Sequence, residues 1–171
     1  YSTDEQNVYS YDISSSKEIG ISIGGTNIHP KISNDGSKIV YNLLEPNRGE
    51  IYLIDYDGYN KVNLYDPNED QNYPILTNDN KKVIYVNNSS EGDELKIMDV
   101  DGKNKTVLVQ MDNEIDQIIN PKISYDGKKV LFHTKRSQGL SKIFIVDIDG
   151  NNFTELRRDL SGTIQPQFQP R

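Results

Sequence analysis

Cysteine is absent from the 171 residues, which excludes disulfides, thiolate metal sites and a cysteine nucleophile. Alanine and tryptophan are missing too. Alanine is the best helix former, and in its place Ile, Val, Tyr, Asn, Asp and Gly recur throughout. These suit pleated surfaces and tight turns, so helix is disfavoured. Histidine stands only at His29 and His133, so a metal site built mainly from imidazoles is excluded; no metal or other cofactor is expected. Basic residues are outnumbered, 19 Lys and Arg against 26 Asp and Glu, for a net charge of −7. A nucleic-acid partner is not expected, since a phosphate backbone would meet net repulsion. No stretch approaches the roughly 18 apolar residues of a membrane-spanning helix. The length is that of one ordinary domain, long enough to bury a core without covalent staples.

Repetition at a regular spacing dominates what is present. The stretch Asn27-Ile-His-Pro-Lys-Ile-Ser-Asn-Asp-Gly-Ser-Lys-Ile-Val-Tyr41 returns as Gln71-Asn-Tyr-Pro-Ile-Leu-Thr-Asn-Asp-Asn-Lys-Lys-Val-Ile-Tyr85 and as Ile118-Ile-Asn-Pro-Lys-Ile-Ser-Tyr-Asp-Gly-Lys-Lys-Val-Leu-Phe132. Pro30, Pro74 and Pro121 lie 44 and 47 residues apart, and Pro166 opens a fourth copy 45 residues later. A second signature keeps step with the first: Ile51-Tyr-Leu-Ile-Asp-Tyr-Asp-Gly58, Leu95-Lys-Ile-Met-Asp-Val-Asp-Gly102 and Ile143-Phe-Ile-Val-Asp-Ile-Asp-Gly150, with Val8-Tyr-Ser-Tyr-Asp12 as a degenerate forerunner. Such periodicity marks a repeat architecture.

Each copy parses into four short strands. In the first copy they are one around the proline, then Lys38 to Asn42, Ile51 to Asp55 and Lys61 to Leu64. Asp35-Gly36, Asp79-Asn80 and Asp126-Gly127 supply residues that tolerate positive φ in the first hairpin, and Asp57-Gly58, Asp101-Gly102 and Asp149-Gly150 do so one hairpin later. Apolar runs such as Ile143 to Val146 are too continuous for a sheet wet on one face and suit strands covered on both. The expected fold class is all-β, a β-propeller of four-stranded blades. Blade repeats are expected near 27–66, 71–110 and 118–158, with partial blades over 1–26 and 159–171.

The pattern Pro-x-Ile-Ser-x-Asp-Gly-x-Lys-Ile-Val-Tyr, followed by Ile-Tyr-x-x-Asp-x-Asp-Gly, resembles the WD-like repeat of TolB-type β-propellers, also found in the propellers of prolyl-oligopeptidase-like peptidases. The resemblance covers nearly the whole chain. It implies a platform for partner proteins or, less often, a substrate gate or catalytic bowl, in the cell envelope or outside the cell.

Asp12 aligns with Asp55 and Arg171 with Asp126. The chain is therefore expected to hold two outer strands of one blade, three complete blades and the inner strand of another. Either it closes as a four-bladed ring, with Pro166 to Arg171 beside the N-terminal strands, or it is an arc of a larger ring. The arc is preferred: an excised piece, or one of two chains that self-associate into a ring of about six to eight blades, because an open arc exposes apolar faces. The start at Tyr1 rather than Met fits excision or processing.

In this architecture the first-to-second and third-to-fourth turns share one face of the disc. They are short and uniform. The opposite face carries variable connections: Asn42 to Glu50, Asn87 to Glu94 and His133 to Lys142 within blades, and Gly20 to Asn27, Tyr65 to Gln71 and Gln110 to Gln117 between them. Binding is expected there, since loops on a rigid frame can vary without harming the core. This face is rich in acids, including Glu50, Glu69, Asp70, Asp93, Glu94 and Asp116, which read either as a surface for a cationic partner or metal, or as solvated loop charges. Glu69 and Asp70 are candidate contacts. The residues preceding each anchor proline, His29, Tyr73, Asn120 and Gln165, are expected near the central channel, either converging on a ligand or filling it with polar groups. His133 is expected at a solvated strand end.

Two motifs are discounted. Gly20-Ile-Ser-Ile-Gly24 matches a nucleophile elbow, but no helix follows it. The Asp-x-Asp-Gly-x-Asn starting at Asp55, Asp99 and Asp147 has Leu64, Leu108 and Leu156 where a calcium loop needs its bidentate Glu. No catalytic residue is assigned. The leading functional expectation is a non-catalytic module that binds a protein or glycan through its variable face; the alternative is the propeller part of an enzyme, gating a peptidase-like hydrolase or bearing a polysaccharide lyase bowl.

Overall fold

In the computed structural model, which describes residues 7–22, 24–46, 48–111, 117–135, 141–160 and 168, every copy of the first turn is held by the same side chains. Ser33, Thr77 and Ser124 donate hydroxyl hydrogen bonds of 2.7 Å to Asp35, Asp79 and Asp126. The same hydroxyls accept the backbone N–H of Lys38, Lys82 and Lys129. Gly36 takes a φ of 74° and Asn80 one of 57°, the left-handed conformation that these residue types reach at least cost. One hairpin later, Asp55, Asp99 and Asp147 each accept from a lysine (Lys38, Lys82, Lys129) on one oxygen and from an asparagine (Asn60, Asn104, Asn152) on the other. Turn chemistry thus accounts for the repeated Asp-x-Asp-Gly-x-Asn.

The strands are β1 Val8–Asp12, β2 Lys17–Ser22, β3 Thr26–Ile32, β4 Lys38–Glu45, β5 Arg48–Asp55, β6 Val62–Asn63, β7 Gln71–Leu76, β8 Lys82–Asn87, β9 Glu94–Asp99, β10 Thr106–Gln110, β11 Gln117–Ile123, β12 Lys129–Lys135, β13 Ser141–Asp147 and β14 Thr154–Leu160. No helix occurs among the described residues. The strands pair antiparallel, β1 with β2 in one small sheet, then β3 to β6, β7 to β10 and β11 to β14 in four-stranded sheets.

Alternation along the second strands shows which faces are covered. In β8, Val83 and Tyr85 pack with Val40, Ile51 and Leu53 of the preceding sheet. Ile84 and Val86 pack with Val130, Phe132 and Phe144 of the following one. β4 divides the same way: Val40 faces β8, while Ile39 and Tyr41 face Val8 and Ile21 of the two-stranded sheet. The two middle sheets are therefore buried on both faces, which is why their apolar runs are unbroken. Each such Val, Leu or Ile contributes roughly 1.5–3 kcal/mol. The first strand β7 packs against β3, β4 and β5 of the preceding sheet and against β11 of the following one.

Three local expectations change. The variable connection from Asn42 to Glu50 is almost wholly strand, because Leu43 and Leu44 pair with Glu50 and Gly49. The strand expected over Lys61 to Leu64 is reduced to Val62–Asn63. His133 is not at a solvated end: it is 5% exposed and lies in mid-sheet opposite Ile119 and Ile143, since β12 runs on to Lys135. Burial holds its imidazole below the usual range. Gln165, Pro166 and the fourth copy they open lie outside the described residues, as does Asp116.

Candidate binding site

Each first strand carries a bulge just before its proline. The register slips between Ile28 and Lys31, Asn72 and Ile75, and Ile119 and Lys122. Within these slips His29, Tyr73 and Asn120 take φ values of 53°, 51° and 53°. A bulge leaves a residue unpaired and re-aims its side chain. For a bulky residue positive φ costs about 1–2 kcal/mol and persists only where neighbours hold it. At Tyr73 the neighbour is Asn42, whose Oδ1 accepts the Tyr73 N–H at 3.0 Å while its Nδ2 donates to the Gln71 carbonyl at 2.8 Å. His29, from the adjoining sheet, stacks on Tyr73 with ring centroids 4.3 Å apart. Burial keeps the His29 imidazole below its usual range. Of the four residues expected at the channel, the structure therefore brings two into contact; Asn120 occupies the equivalent bulge, half-buried, in the third four-stranded sheet.

Tyr73 and Asp70 line an open polar cavity of about 620 Å³ between the second and third four-stranded sheets. Its walls come from the start of β7, the β8–β9 connection with Asn88, Ser89, Ser90 and Asp93, and the start of β11. These are connections of the variable face. Asp93 is buried, and its Oδ2 accepts the Ile118 N–H at 2.8 Å. Burial, reinforced by the nearby charge of Asp70, raises its carboxyl above the usual range, and burial with the charge of Asp93 raises the Tyr73 phenol. A hydrogen-bond donor or cationic group entering the cavity would relieve both. Asp70 is held in place from three sides: it accepts from the Gly49 N–H at 2.6 Å and the Asn72 amide at 3.0 Å, and its own N–H donates to Asn87 at 3.0 Å.

Glu69, one residue away, is placed differently. It is buried and binds Lys96 at 2.6 Å, Lys105 at 2.9 Å and the Tyr85 hydroxyl at 2.9 Å. Against the cost of burial, these partners hold its carboxyl below the usual range. Its oxygens are spent on tying β7 to β8, β9 and β10. Glu50 and Asp93 are buried as well, so the acids of this face are not uniformly solvated. The repeat gave no signal for Asn42, whose aligned positions are Val86 and His133. No group of three or more His, Cys, Asp or Glu among the described residues is arranged to hold a metal, and no described helix is long and apolar enough to cross a membrane.

No family model matches the sequence, and no curated protein does. Solved structures do. TolB from Acinetobacter baumannii superimposes with a TM-score of 0.72 at 21% identity, over 91% of this chain and 39% of that one. The fold is TolB-like. A prolyl endopeptidase gives a TM-score of 0.69 at 14% identity, over 92% of this chain and 27% of that one. An oligogalacturonate lyase from Vibrio parahaemolyticus gives 0.66 at 14%, over 92% and 49%. The chain thus spans less than half the length of each, and at these identities the likeness concerns the propeller fold alone.

Proposed function

We propose that this TolB-like chain is a non-catalytic propeller module that binds a protein or glycan partner through the face on which the Asp70–Asp93 cavity opens. The observation that carries the reading is the cavity itself, with amides, hydroxyls, one aromatic ring and a carboxylate raised by burial, set on loops that differ between repeats. The opposite turns are alike in every copy, as expected of purely structural joints. The preferred ligand carries a basic or hydroxyl-rich group.

Ser89→Arg and Ser90→Arg place bulk and positive charge in the cavity from exposed positions of the β8–β9 connection, without touching the core. Capture of a partner from cell-envelope extracts is expected to fall at least about tenfold in either variant. Unchanged capture would sink the reading. Glu69 is unsuitable for this test, because its removal disturbs the frame.

The finer architecture belongs to the same proposal. The three four-stranded sheets are blades, and β1 and β2 are the outer strands of a fourth, as the packing of Val8 and Ile21 on Ile39, Tyr41 and Ile54 supports. Self-association of the chain is part of the same proposal. Sedimentation at increasing concentration is expected to show self-association, and a strict monomer would argue against it.

A further inference from the structure

The first turns of the three four-stranded sheets share their internal bonds but not their links to one another. Asn80, in the second sheet, reaches back across the junction, and its Nδ2 donates to Asp35 Oδ2 of the first sheet at 2.8 Å. Asp35 uses Oδ1 for its own turn, accepting from the Ser33 hydroxyl and the Ser37 N–H, so the neighbouring sheet takes the other oxygen. The next junction repeats the acceptor without the donor. Asp79 likewise uses Oδ1 for its own turn, accepting from the Thr77 hydroxyl and the Lys81 N–H. The residue of the third sheet that aligns with Asn80 is Gly127, which has no side chain to send to Asp79 Oδ2.

An open cavity of about 540 Å³ lies at this second junction, lined by Asp79 and Gly127. Its apolar lining includes Ile97 and Leu108, buried members of the core between the two sheets. Its exposed acids are Asp79 from one sheet and Asp126 and Asp149 from the other. The lysine of its lining, Lys82, is already held by Asp99. Asn78 still ties the two turns together, donating to the Tyr125 carbonyl at 2.7 Å. We infer that this cavity receives a lysine side chain of a partner polypeptide, whose ammonium takes at Asp79 the place that the Asn80 amide takes at Asp35. The surplus of carboxylates over the one paired lysine favours a cation. The aliphatic stem of a lysine covers Ile97 and Leu108 while its charged head stays at the wet rim. A single carboxylate oxygen suits a compact ammonium better than the two-pronged guanidinium of arginine. The site is on the turn face, away from the Asp70–Asp93 cavity, and goes beyond the proposed function.

The test titrates the 171-residue chain with the terminally blocked peptide Gly-Gly-Lys-Gly-Gly and with its counterpart carrying norleucine in place of lysine, read by NMR. The lysine peptide is expected to bind saturably and the norleucine peptide at least about tenfold more weakly, since only the first makes a charge-assisted bond. Gly127→Asn supplies the missing amide. Asparagine already holds a φ of 57° at Asn80, and a Cβ added at Gly127 meets only the Asn78 side chain, at 3.3 Å, so this variant should fold and lose at least about tenfold in affinity for the lysine peptide. Asp79→Asn keeps an oxygen for Thr77 and Lys81, removes the charge, and should weaken binding to a similar degree. Absence of saturable binding in the wild type, equal affinity for the norleucine peptide, or wild-type affinity in either folded variant would overturn the inference.

Discussion

Gly49 lies so close to Gln71 that a Cβ added to it would stand 2.2 Å from the Gln71 carbonyl oxygen. The two residues belong to neighbouring sheets, and the same approach lets the Gly49 N–H reach Asp70 at 2.6 Å. The backbone of one sheet therefore positions an acid of the candidate cavity in the next.

Gly49→Ala is expected to destabilise by about 3 kcal/mol, since the clash is with backbone rather than with a movable side chain. Gly36→Ala, where the space is open but φ is +74°, should cost only about 1 kcal/mol. Urea unfolding of both variants checks the contrast. Equal losses would mean that the sheets separate easily at Gly49.

Tyr73→Gly is expected to be at least as stable as Tyr73→Ala. Both lose the ring that stacks on His29, but only glycine accepts a φ of 51° freely, a relief of about 1 kcal/mol. Alanine proving clearly the more stable would show that the bulge relaxes once the ring is gone.

Removing Glu69 should expose the difference between buried and surface ion pairs. Glu69→Ala leaves Lys96, whose side chain is 14% exposed, and Lys105 without their shared partner, and a loss of about 3 kcal/mol is expected. Lys103→Ala breaks a pair to Asp101 in which the lysine is 77% exposed, and should change stability by less than about 0.5 kcal/mol. Chemical denaturation of the two variants measures both.

Stability is expected to fall with acidification in two stages. His29 and His133 are held below the ordinary 6.5 by burial, so the unfolded chain binds protons first and stability is lost as pH drops below that value. Asp55, Asp99 and Asp147 are held below the ordinary 3.8 by their asparagine and lysine partners. Their contribution is present above that value and is lost as pH falls through their folded pKa values. Asp93, raised by burial, works in the opposite direction. Urea midpoints from pH 7 to pH 3 trace the profile, and His133→Gln should flatten its upper stage.

The turns were legible because their chemistry is local: Ser33 bonds to Asp35, and Asp55 to Asn60, within five residues along the chain. Strand positions were legible from the same periodicity. The ends of strands were less so, and β4 and β5 extend through an expected loop because cross-strand pairing, not propensity, carries Leu43 and Leu44.

Amino-acid order alone settled the recurring four-strand unit and the faces on which its turns lie, since each depends on contacts a few residues apart. It did not distinguish Glu69 from Asp70, two adjacent acids of one loop. Packing between sheets separated them. One carboxylate is enclosed by Lys96 and Lys105, 27 and 36 positions away, and the other is turned toward a cavity whose far wall is β11. Whether an acid is paired, neutralised or presented depends on what distant strands bring beside it.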